Sequence, residues 1–189
     1  MGIDEVGRGP LAGPVAVGVV VATQKSLRKF RLIKESKQLS PAQREVWFAR
    51  ITNELSPDLR YSVAFVSARM IDQKGIAHAI RTALARALAE TNVRPNECEV
   101  RLDGGLRAPS VYTRQQTIIK GDEKETTIAM ASVMAKVLRD RRMHALAKKH
   151  SEYGFERHVG YGTAAHIAAI KKHGLLPEHR KSFCRNIRI

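Results

Sequence analysis

Hydrophobic and polar positions along the chain follow two patterns, one typical of strands and one of helices. Residues Val15 to Val21 form a nearly continuous β-branched run between glycines and prolines, which predicts a strand buried on both faces. Apolar and smaller residues alternate over 61–66 and predict a second strand. Two shorter strands are expected, at Cys98 to Asp103 and at Thr117 to Lys120.

A helix is predicted to begin with Ser40 as its N-cap. Residues 40–43 have the pattern of a capping box, with proline at the first helical position. The residues that follow are expected to place Trp47, Ile51 and Leu55 on one face.

Further helices are predicted from apolar stripes at helical spacing, from Ile76 to Leu88 and from Ile128 to Leu138. A short helix over 164–173 is expected to stop at Gly174. Because the strands come mostly early and the helices mostly late, the pattern predicts an α/β layered domain with a mixed sheet.

The composition narrows the class of protein. A chain of 189 residues that is 43% hydrophobic favours one domain, 1–189, with a sizeable core. Its formal net charge of +15 makes nucleic acid the natural partner. A basic face that binds anionic lipid, or one that only keeps the protein in solution, is the alternative.

Cysteine usage and hydropathy bear on location. Cys98 and Cys184 form neither a disulfide framework nor a CxxC pair, which is typical of a reducing compartment. The longest apolar stretch, Pro14 to Ala22, is too short to span a bilayer, and the first residues lack a signal-peptide pattern. We therefore expect a cytoplasmic protein that does not contact membranes.

Candidate chemistry begins at Asp4 and Glu5. Successive side chains of a strand point to opposite faces, so these two acids serve one site only if the strand ends between them. Gly7, Gly9 and Pro10 are expected to supply that ending. Two carboxylates at a strand tip form a hard-oxygen site suited to Mg²⁺ or Mn²⁺, whereas the plain alternative is an acidic surface turn.

Two further acids lie at predicted strand ends beside glycines. Asp103 is followed by Gly104 and Gly105, and Asp122 follows Gly121. If all four carboxylates converge, they are suited to hold two metal ions about 4 Å apart, an arrangement that serves phosphodiester hydrolysis.

The chain resembles the ribonuclease HII family in motifs that occur in family order and cover nearly its whole length. They are GIDEVGRGPLAGPV from residue 2, ESKQLS at 35–40, LDGG at 102–105, KGDEKETTIAMASVMAKVLRDR at 120–141, YGFERHVGYGTAAH at 153–166 and HRKSF at 179–183.

The resemblance implies a ribonuclease H-like fold, in which helices flank a mixed five-stranded sheet. A helical C-terminal segment, about 145–189, would complete the substrate cleft. The resemblance also implies hydrolysis of RNA in RNA/DNA hybrids and incision at single ribonucleotides embedded in duplex DNA, with 3′-hydroxyl and 5′-phosphate products. Asp4, Glu5, Asp103 and Asp122 match the family's acidic positions, which bind two divalent ions.

The remaining site residues also come from the resemblance. Gly7, Arg8 and Gly9 match a loop whose main chain reads the 2′-hydroxyl, the group that distinguishes RNA from DNA. Tyr161 matches the tyrosine that packs on the deoxyribose 3′ of the junction ribonucleotide. Lys37 and Lys136 match basic positions that are expected to contact phosphates.

Three features of the sequence qualify this picture. Glu35 stands where the family usually has aspartate, and the first strand is expected to be short because few residues precede Asp4. Six residues follow Phe183, so a clamp-binding tail is not expected, and we expect a monomer.

Asp140 is interpreted as an ion-pairing acid, and His158, His166 and His179 as packing or surface residues. A hybrid-binding protein without catalysis is the competing hypothesis.

Overall fold

The computed structural model describes residues 1–187. Its strands are β1 (Gly2–Val6), β2 (Val15–Ala22), β3 (Leu59–Val66), β4 (Val100–Asp103) and β5 (Gln115–Ile118). Its α-helices are α1 (Gln24–Leu27), α2 (Pro41–Asn53), α3 (Ala68–Lys74), α4 (Ile76–Glu90), α5 (Gly121–Lys124), α6 (Thr126–Lys149), α7 (Phe155–His158) and α8 (Ala164–His173).

The strands form one mixed five-stranded sheet, as the resemblance implied, and their order in it is β3-β2-β1-β4-β5. β1 is antiparallel to β2 and parallel to β4, and β4 is parallel to β5. The expectation of a short first strand is confirmed, because β1 has five residues although it lies at the centre of the sheet. It pairs with β2 along its whole length and with β4 through Gly2 and Ile3.

Both faces of the sheet are covered by helices. Val15, Val17 and Val19 pack in one core cluster with residues of α4, while Val20 belongs to a second cluster with residues of α2 and α6. The prediction that this strand is buried on both faces is therefore confirmed. Gly18 lets α6 approach closely, since a Cβ built there would meet the main-chain carbonyl of Ala131 at 2.5 Å.

A third core cluster joins the C-terminal segment to the first loop of the chain. Ala12 packs there with Met143 of α6 and with Phe155, Ile170 and Cys184. This cluster fixes the later helices against the residues that follow β1.

Several predicted boundaries are wrong. β4 begins at Val100 and not at Cys98, which directly follows a short 3-10 helix, Pro95–Glu97. α2 ends at Asn53 and leaves Leu55 45% exposed, because the chain turns into the bridge between Ser56 and Leu59. β5 ends at Ile118, since Lys120 adopts a left-handed conformation with φ 54°. α6 continues to Lys149, so that residues 139–141 lie within it and not at its end.

The other helix predictions are confirmed. The Ser40 capping box is formed, with Gln43 N–H donating to Ser40 Oγ and the Gln43 side chain accepting from Ser40 N–H. α8 spans the predicted residues. Cys98 and Cys184 are free thiols, and no helix within residues 1–187 is long and apolar enough to cross a membrane.

Candidate active site

The sheet register brings the predicted acids towards one end of β1 and β4. Gly2 and Ile3 pair with Arg101 and Leu102, and continuing this parallel register sets Asp4 beside Asp103. Asp103 in turn pairs with Ile118, the last residue of β5. The chain then turns through Lys120 into α5, which carries Asp122.

The turn before Asp122 is held by Asp103. Gly121 N–H donates a hydrogen bond of 2.7 Å to Asp103 Oδ1, and a side chain at position 121 would overlap Ile128. Position 121, where the two acidic segments meet, is therefore closely packed against Ile128.

The reason given for the pairing of Asp4 with Glu5 is wrong. β1 does not end between them, because its pairing with β2 continues through Glu5 and Val6. Asp4 is buried, and its Oδ1 accepts a 2.7 Å hydrogen bond from Glu5 N–H. Glu5 is partly buried, and its carboxylate lies 3.6 Å from the Arg8 guanidinium.

Electrostatic coupling nonetheless joins the four acids. Burial raises the pKa of Asp4 to about 8, and the negative charges of Glu5, Asp103 and Asp122 add to this rise. Burial is also the largest cause that raises the pKa of Glu5, and Asp103 contributes to it. We call Asp4, Glu5, Asp103 and Asp122 the acid site.

The donor chemistry of the acid site fits Mg²⁺ or Mn²⁺. All four side chains offer carboxylate oxygens, the ligands that these hard cations prefer. Within residues 1–187, no three acidic, histidine or cysteine side chains already surround a single point. The carboxylates thus lie in one neighbourhood without being arranged as a complete coordination shell. A divalent cation would relieve their mutual repulsion.

Glu35 and Lys37 belong to this neighbourhood. Glu35 is 9% exposed, and burial raises the pKa of Asp122, a rise to which the neighbouring carboxylate of Glu35 adds. Lys37 Nζ lies 3.8 Å from Asp122 Oδ2 and 4.0 Å from Glu35 Oε2. Sequence reasoning noted Glu35 only as a departure from aspartate, although its place in the ESK motif was a signal for the site.

The predicted sugar-reading loop follows β1. Gly7 has φ 87°, a conformation that favours glycine, and Arg8 and Gly9 are exposed. Tyr161 is 43% exposed, and its Cε1 would lie 4.0 Å from a Cβ built on Gly9. The structure therefore brings Gly9 and Tyr161 together from opposite ends of the sequence.

Lys136 is less available than Lys37. Its Nζ lies 2.9 Å from Asp140 Oδ1, and burial lowers the pKa of Lys136. Asp140 also lies 3.8 Å from Arg44, so its interpretation as an ion-pairing acid is confirmed. Lys136 and Tyr161 both line a cleft of about 630 Å³ between α2, α6 and the C-terminal segment.

Two buried arginines escaped the sequence reasoning. Arg139 and Arg180 are 0% exposed and donate hydrogen bonds to main-chain carbonyls at the two ends of the Gly7–Pro14 segment. In the sequence, Arg139 stands among other basic residues and Arg180 in a motif known only by resemblance, so neither carries a signal of burial.

The three histidines are packing residues, as one of the two interpretations held. His158, His166 and His179 are buried, and His179 Nε2 lies 3.1 Å from His166 Nε2. His166 Nδ1 lies 2.9 Å from the Tyr161 carbonyl. The cluster therefore supports the main chain at Tyr161.

Comparison with known proteins shows the family to which the chain belongs. The family model described as Ribonuclease HII matches residues 1–186. The chain belongs to the ribonuclease HII family. Membership assigns it to the metal-dependent ribonuclease H endonucleases, which are hydrolases.

Individual relatives cover nearly all of the chain. The ribonuclease HII of Shewanella pealeana is 43% identical over 182 residues, which are 96% of this chain and 86% of that protein. The ribonuclease HII of Halalkalibacterium halodurans is also 43% identical over 182 residues, but the match spans only 66% of its length.

Solved structures of ribonuclease HII proteins share the fold. The Archaeoglobus fulgidus ribonuclease HII, in its complex with PCNA, superposes with a TM-score of 0.79 at 25% identity and covers 100% of this chain and 96% of its own. The Pyrococcus horikoshii ribonuclease H2 superposes with a TM-score of 0.76 at 27% identity, covering 98% and 95%. The ribonuclease H-like fold expected from the motifs is confirmed.

Proposed function

We propose that this chain cuts the RNA strand of RNA/DNA hybrids and incises duplex DNA on the 5′ side of single embedded ribonucleotides. The products would carry 3′-hydroxyl and 5′-phosphate ends. The observation that carries the proposal is that Asp4 and Glu5 of the acid site lie directly before the segment Gly7–Pro14, here called the glycine loop, in which Arg8 and Gly9 are exposed and Gly9 lies near Tyr161.

The acid site would hold two divalent ions through Asp4, Glu5, Asp103 and Asp122. When bound, such ions supply Lewis-acid polarisation of the phosphate and activation of water. A Bst ribonuclease HIII, 18% identical and similar in fold, is known in complex with Mn²⁺, and the all-carboxylate donor set of this chain suits Mn²⁺ and Mg²⁺ alike.

The glycine loop and the aromatic ring would set the position of the cut. Main-chain groups at Gly7 and Gly9 can approach a sugar closely, and the 2′-hydroxyl both donates and accepts hydrogen bonds. Arg8, which is exposed beside Glu5, would hold a phosphate next to the acids. Tyr161 would pack on the following sugar, where a 2′-hydroxyl would prevent close contact.

Phosphate binding elsewhere rests on two lysines. Lys37 is exposed and adjoins the acid site, and Lys136 lines the cleft beyond Tyr161. We propose both as backbone contacts, with Lys37 the stronger because Lys136 is already paired with Asp140.

A nicking assay tests the proposal. The protein is incubated with duplex DNA that contains one ribonucleotide, in Mg²⁺, Mn²⁺ or EDTA, beside an all-DNA duplex and a duplex with one all-RNA strand. We expect one nick, on the 5′ side of the ribonucleotide, only with metal. Binding of the ribonucleotide duplex without metal-dependent nicking would favour the non-catalytic alternative.

A further inference from the structure

Two fully buried arginines donate only to main-chain carbonyls. Arg180 donates through Nη2 to Gly7 O at 2.6 Å, through Nη1 to Arg8 O at 2.9 Å and through Nε to Gly13 O at 3.0 Å. Arg139 donates to Pro14 O at 2.9 Å, to Ala12 O at 3.3 Å and to Val159 O at 3.1 Å. We call these two side chains the arginine pair.

The arginine pair binds most of the loop. Its guanidinium groups reach five of the eight carbonyls of the glycine loop, and the main-chain N–H of Arg180 donates to a sixth, Leu11 O. The loop also donates from Leu11 and Ala12 N–H to Gly160 O. The backbone of the glycine loop is therefore fixed from beneath and from the side.

The loop and the arginine pair also interlock sterically. A Cβ built on Gly7 would overlap Nε and Cδ of Arg139, and one built on Gly160 would overlap Ala12 O. Gly7 and Gly160 have φ of 87° and 89°, so both positions demand glycine for conformation as well as for space. The absence of side chains here is what allows the arginines to reach the carbonyls.

Such an arrangement is costly for folding and so needs a reason. Burial lowers the pKa of Arg180 to about 10, which still leaves the guanidinium charged at neutral pH. A buried charge is unfavourable unless it is well hydrogen-bonded, and apolar packing at such a position is often as stable. The planar guanidinium offers donors in a fixed fork, which orients its acceptors as a single point charge does not.

We propose that Arg139 and Arg180 are positioning residues for ribonucleotide recognition: they hold the carbonyls of the glycine loop towards the protein interior, so that the exposed residues Arg8 and Gly9 present their main chain to the sugar in one geometry. The inference rests on the proposed function, because it assumes that this loop reads the 2′-hydroxyl. Neither arginine touches the substrate.

The test is the binding selectivity of Arg180→Lys and Arg139→Lys. Lysine keeps the charge but replaces the fork with one ammonium. Dissociation constants are measured with Ca²⁺ in place of Mg²⁺, for a duplex with one ribonucleotide and for the all-DNA duplex of the same sequence. Selectivity is the dissociation constant of the all-DNA duplex divided by that of the ribonucleotide duplex. We expect this ratio to fall about tenfold or more in Arg180→Lys, while affinity for the all-DNA duplex changes less than about twofold.

Two control variants separate positioning from general stability. Arg142→Lys alters an exposed arginine of the same helix, which stacks on Phe65, and should leave the ratio unchanged. Leu84→Ala removes a buried apolar side chain of α4, which packs in the core cluster of Val17 and Val19 rather than in that of Ala12, and should lower the melting temperature without changing the ratio. An equal fall in selectivity for Leu84→Ala and Arg180→Lys would overturn the inference.

The outcomes also separate this inference from the proposed function. A wild-type protein that binds both duplexes equally contradicts the proposed sugar reading itself. A wild-type protein that prefers the ribonucleotide, with lysine variants that prefer it equally, contradicts only the role of the arginine pair.

Hydrogen exchange of the wild-type protein provides a measurement that needs no folded variant. The amides of Leu11, Ala12 and Gly13, which donate to Gly160 O and Glu178 O, should exchange nearly as slowly as those of β1 and β2, since they are released only when the loop opens. Exchange of these three amides at the rate of an unstructured peptide would overturn the inference.

Discussion

The acid site brings together groups of like charge, whereas the main-chain carbonyls of the glycine loop beside it are hydrogen-bonded to cationic side chains. At the acid site, four carboxylates share one environment, and their repulsion and burial raise the pKa of Asp4 to about 8. In the glycine loop, two buried cations meet main-chain carbonyls at hydrogen-bond distance. The negative charge of the acid site is left largely uncompensated, whereas most carbonyls of the glycine loop have a hydrogen-bond donor.

This difference separates what each region contributes. An uncompensated group of carboxylates does not help folding, so its retention is understood through the cations it would bind. The glycine loop offers few charges to a ligand but a fixed backbone, which suits recognition of a neutral hydroxyl. Changes at the acid site should therefore affect catalysis without harming stability, and changes beneath the loop should affect both.

The largest effect is expected for Asp103→Asn. The amide keeps an oxygen that can accept from Gly121 N–H, but it removes one negative charge from the acid site. We expect nicking with Mg²⁺ to fall by about three orders of magnitude, since several kcal/mol of metal-dependent stabilisation are lost. Duplex binding and the melting temperature should hold, or the latter should rise. Nicking close to that of the wild type would remove Asp103 from the site.

Gly7→Ala should instead unfold the recognition region. The new Cβ meets Arg139 and the backbone has φ 87°, so we expect the free energy of unfolding to fall by about 3 kcal/mol. Nicking activity should be lost as well. Gly75→Ala is the matched control, because Gly75 has φ 81° but no atom within 4 Å of its built Cβ. It should lose less, about 2 kcal/mol, from backbone strain alone. Equal losses, measured by urea unfolding, would mean that the contact with Arg139 is unimportant.

A moderate effect of pH is expected from the histidines behind Tyr161. Burial, with His166 nearby, lowers the pKa of His179 to about 4, and burial lowers the pKa of His166 as well. In the unfolded chain both titrate near 6.5. The folded state therefore binds fewer protons between these values, so its stability is complete above about pH 6.5 and declines as pH falls towards 4.

The measurement is a series of melting curves from pH 7.5 to 4.5. The raised pKa of Asp4 acts in the opposite direction over this range, so the contribution of His179, about 2 kcal/mol or about 5 °C, is the difference between wild type and variant. His179→Gln should lose this contribution and become more stable than wild type towards pH 4.5 by that amount, whereas the same change at His78, which is exposed on α4, should not. A pH dependence that is identical in both variants would show that other groups cause it.

The sequence predicted the fold and the acidic residues because both leave local patterns. A continuous β-branched run marks β2, a capping box marks α2, and strand-end acids beside glycine mark Asp103 and Asp122. The resemblance supplied the roles of Gly7–Gly9 and Tyr161, which a pattern of single residues does not reveal.

The contacts beneath the loop were not predictable in the same way. Arg139 and Arg180 look like ordinary basic residues of a chain with 33 lysines and arginines, and only the fold shows that both reach one loop near the N-terminus. The strand-end argument for Asp4 and Glu5 also failed, because cross-strand pairing to β2 continues past the residues that local reasoning took as a break.

A smaller effect is expected at Tyr161, the residue that we propose to pack on the sugar beside the glycine loop. Tyr161→Ala removes the exposed ring near Gly9 and should lower kcat/KM on a single-ribonucleotide duplex about tenfold. Tyr161→Phe keeps the ring face and should stay within about twofold. On the all-RNA strand, Tyr161→Ala should lower kcat/KM less, since that strand has no deoxyribose after the cut. A tenfold loss in the phenylalanine variant would assign the role to the hydroxyl group.

The smallest effect should distinguish the two lysines. Lys37 is 80% exposed at the side chain beside the acid site, whereas Lys136 is 18% exposed and ion-paired with Asp140. Lys37→Met should weaken duplex binding a few-fold and reduce the slope of log K against log salt by about 1, and Lys136→Met should change the slope less. If Lys37 only offsets the repulsion among the carboxylates, the slope will not change, and Lys37→Met will reach half-maximal nicking at lower Mg²⁺ because the acid site has become more negative.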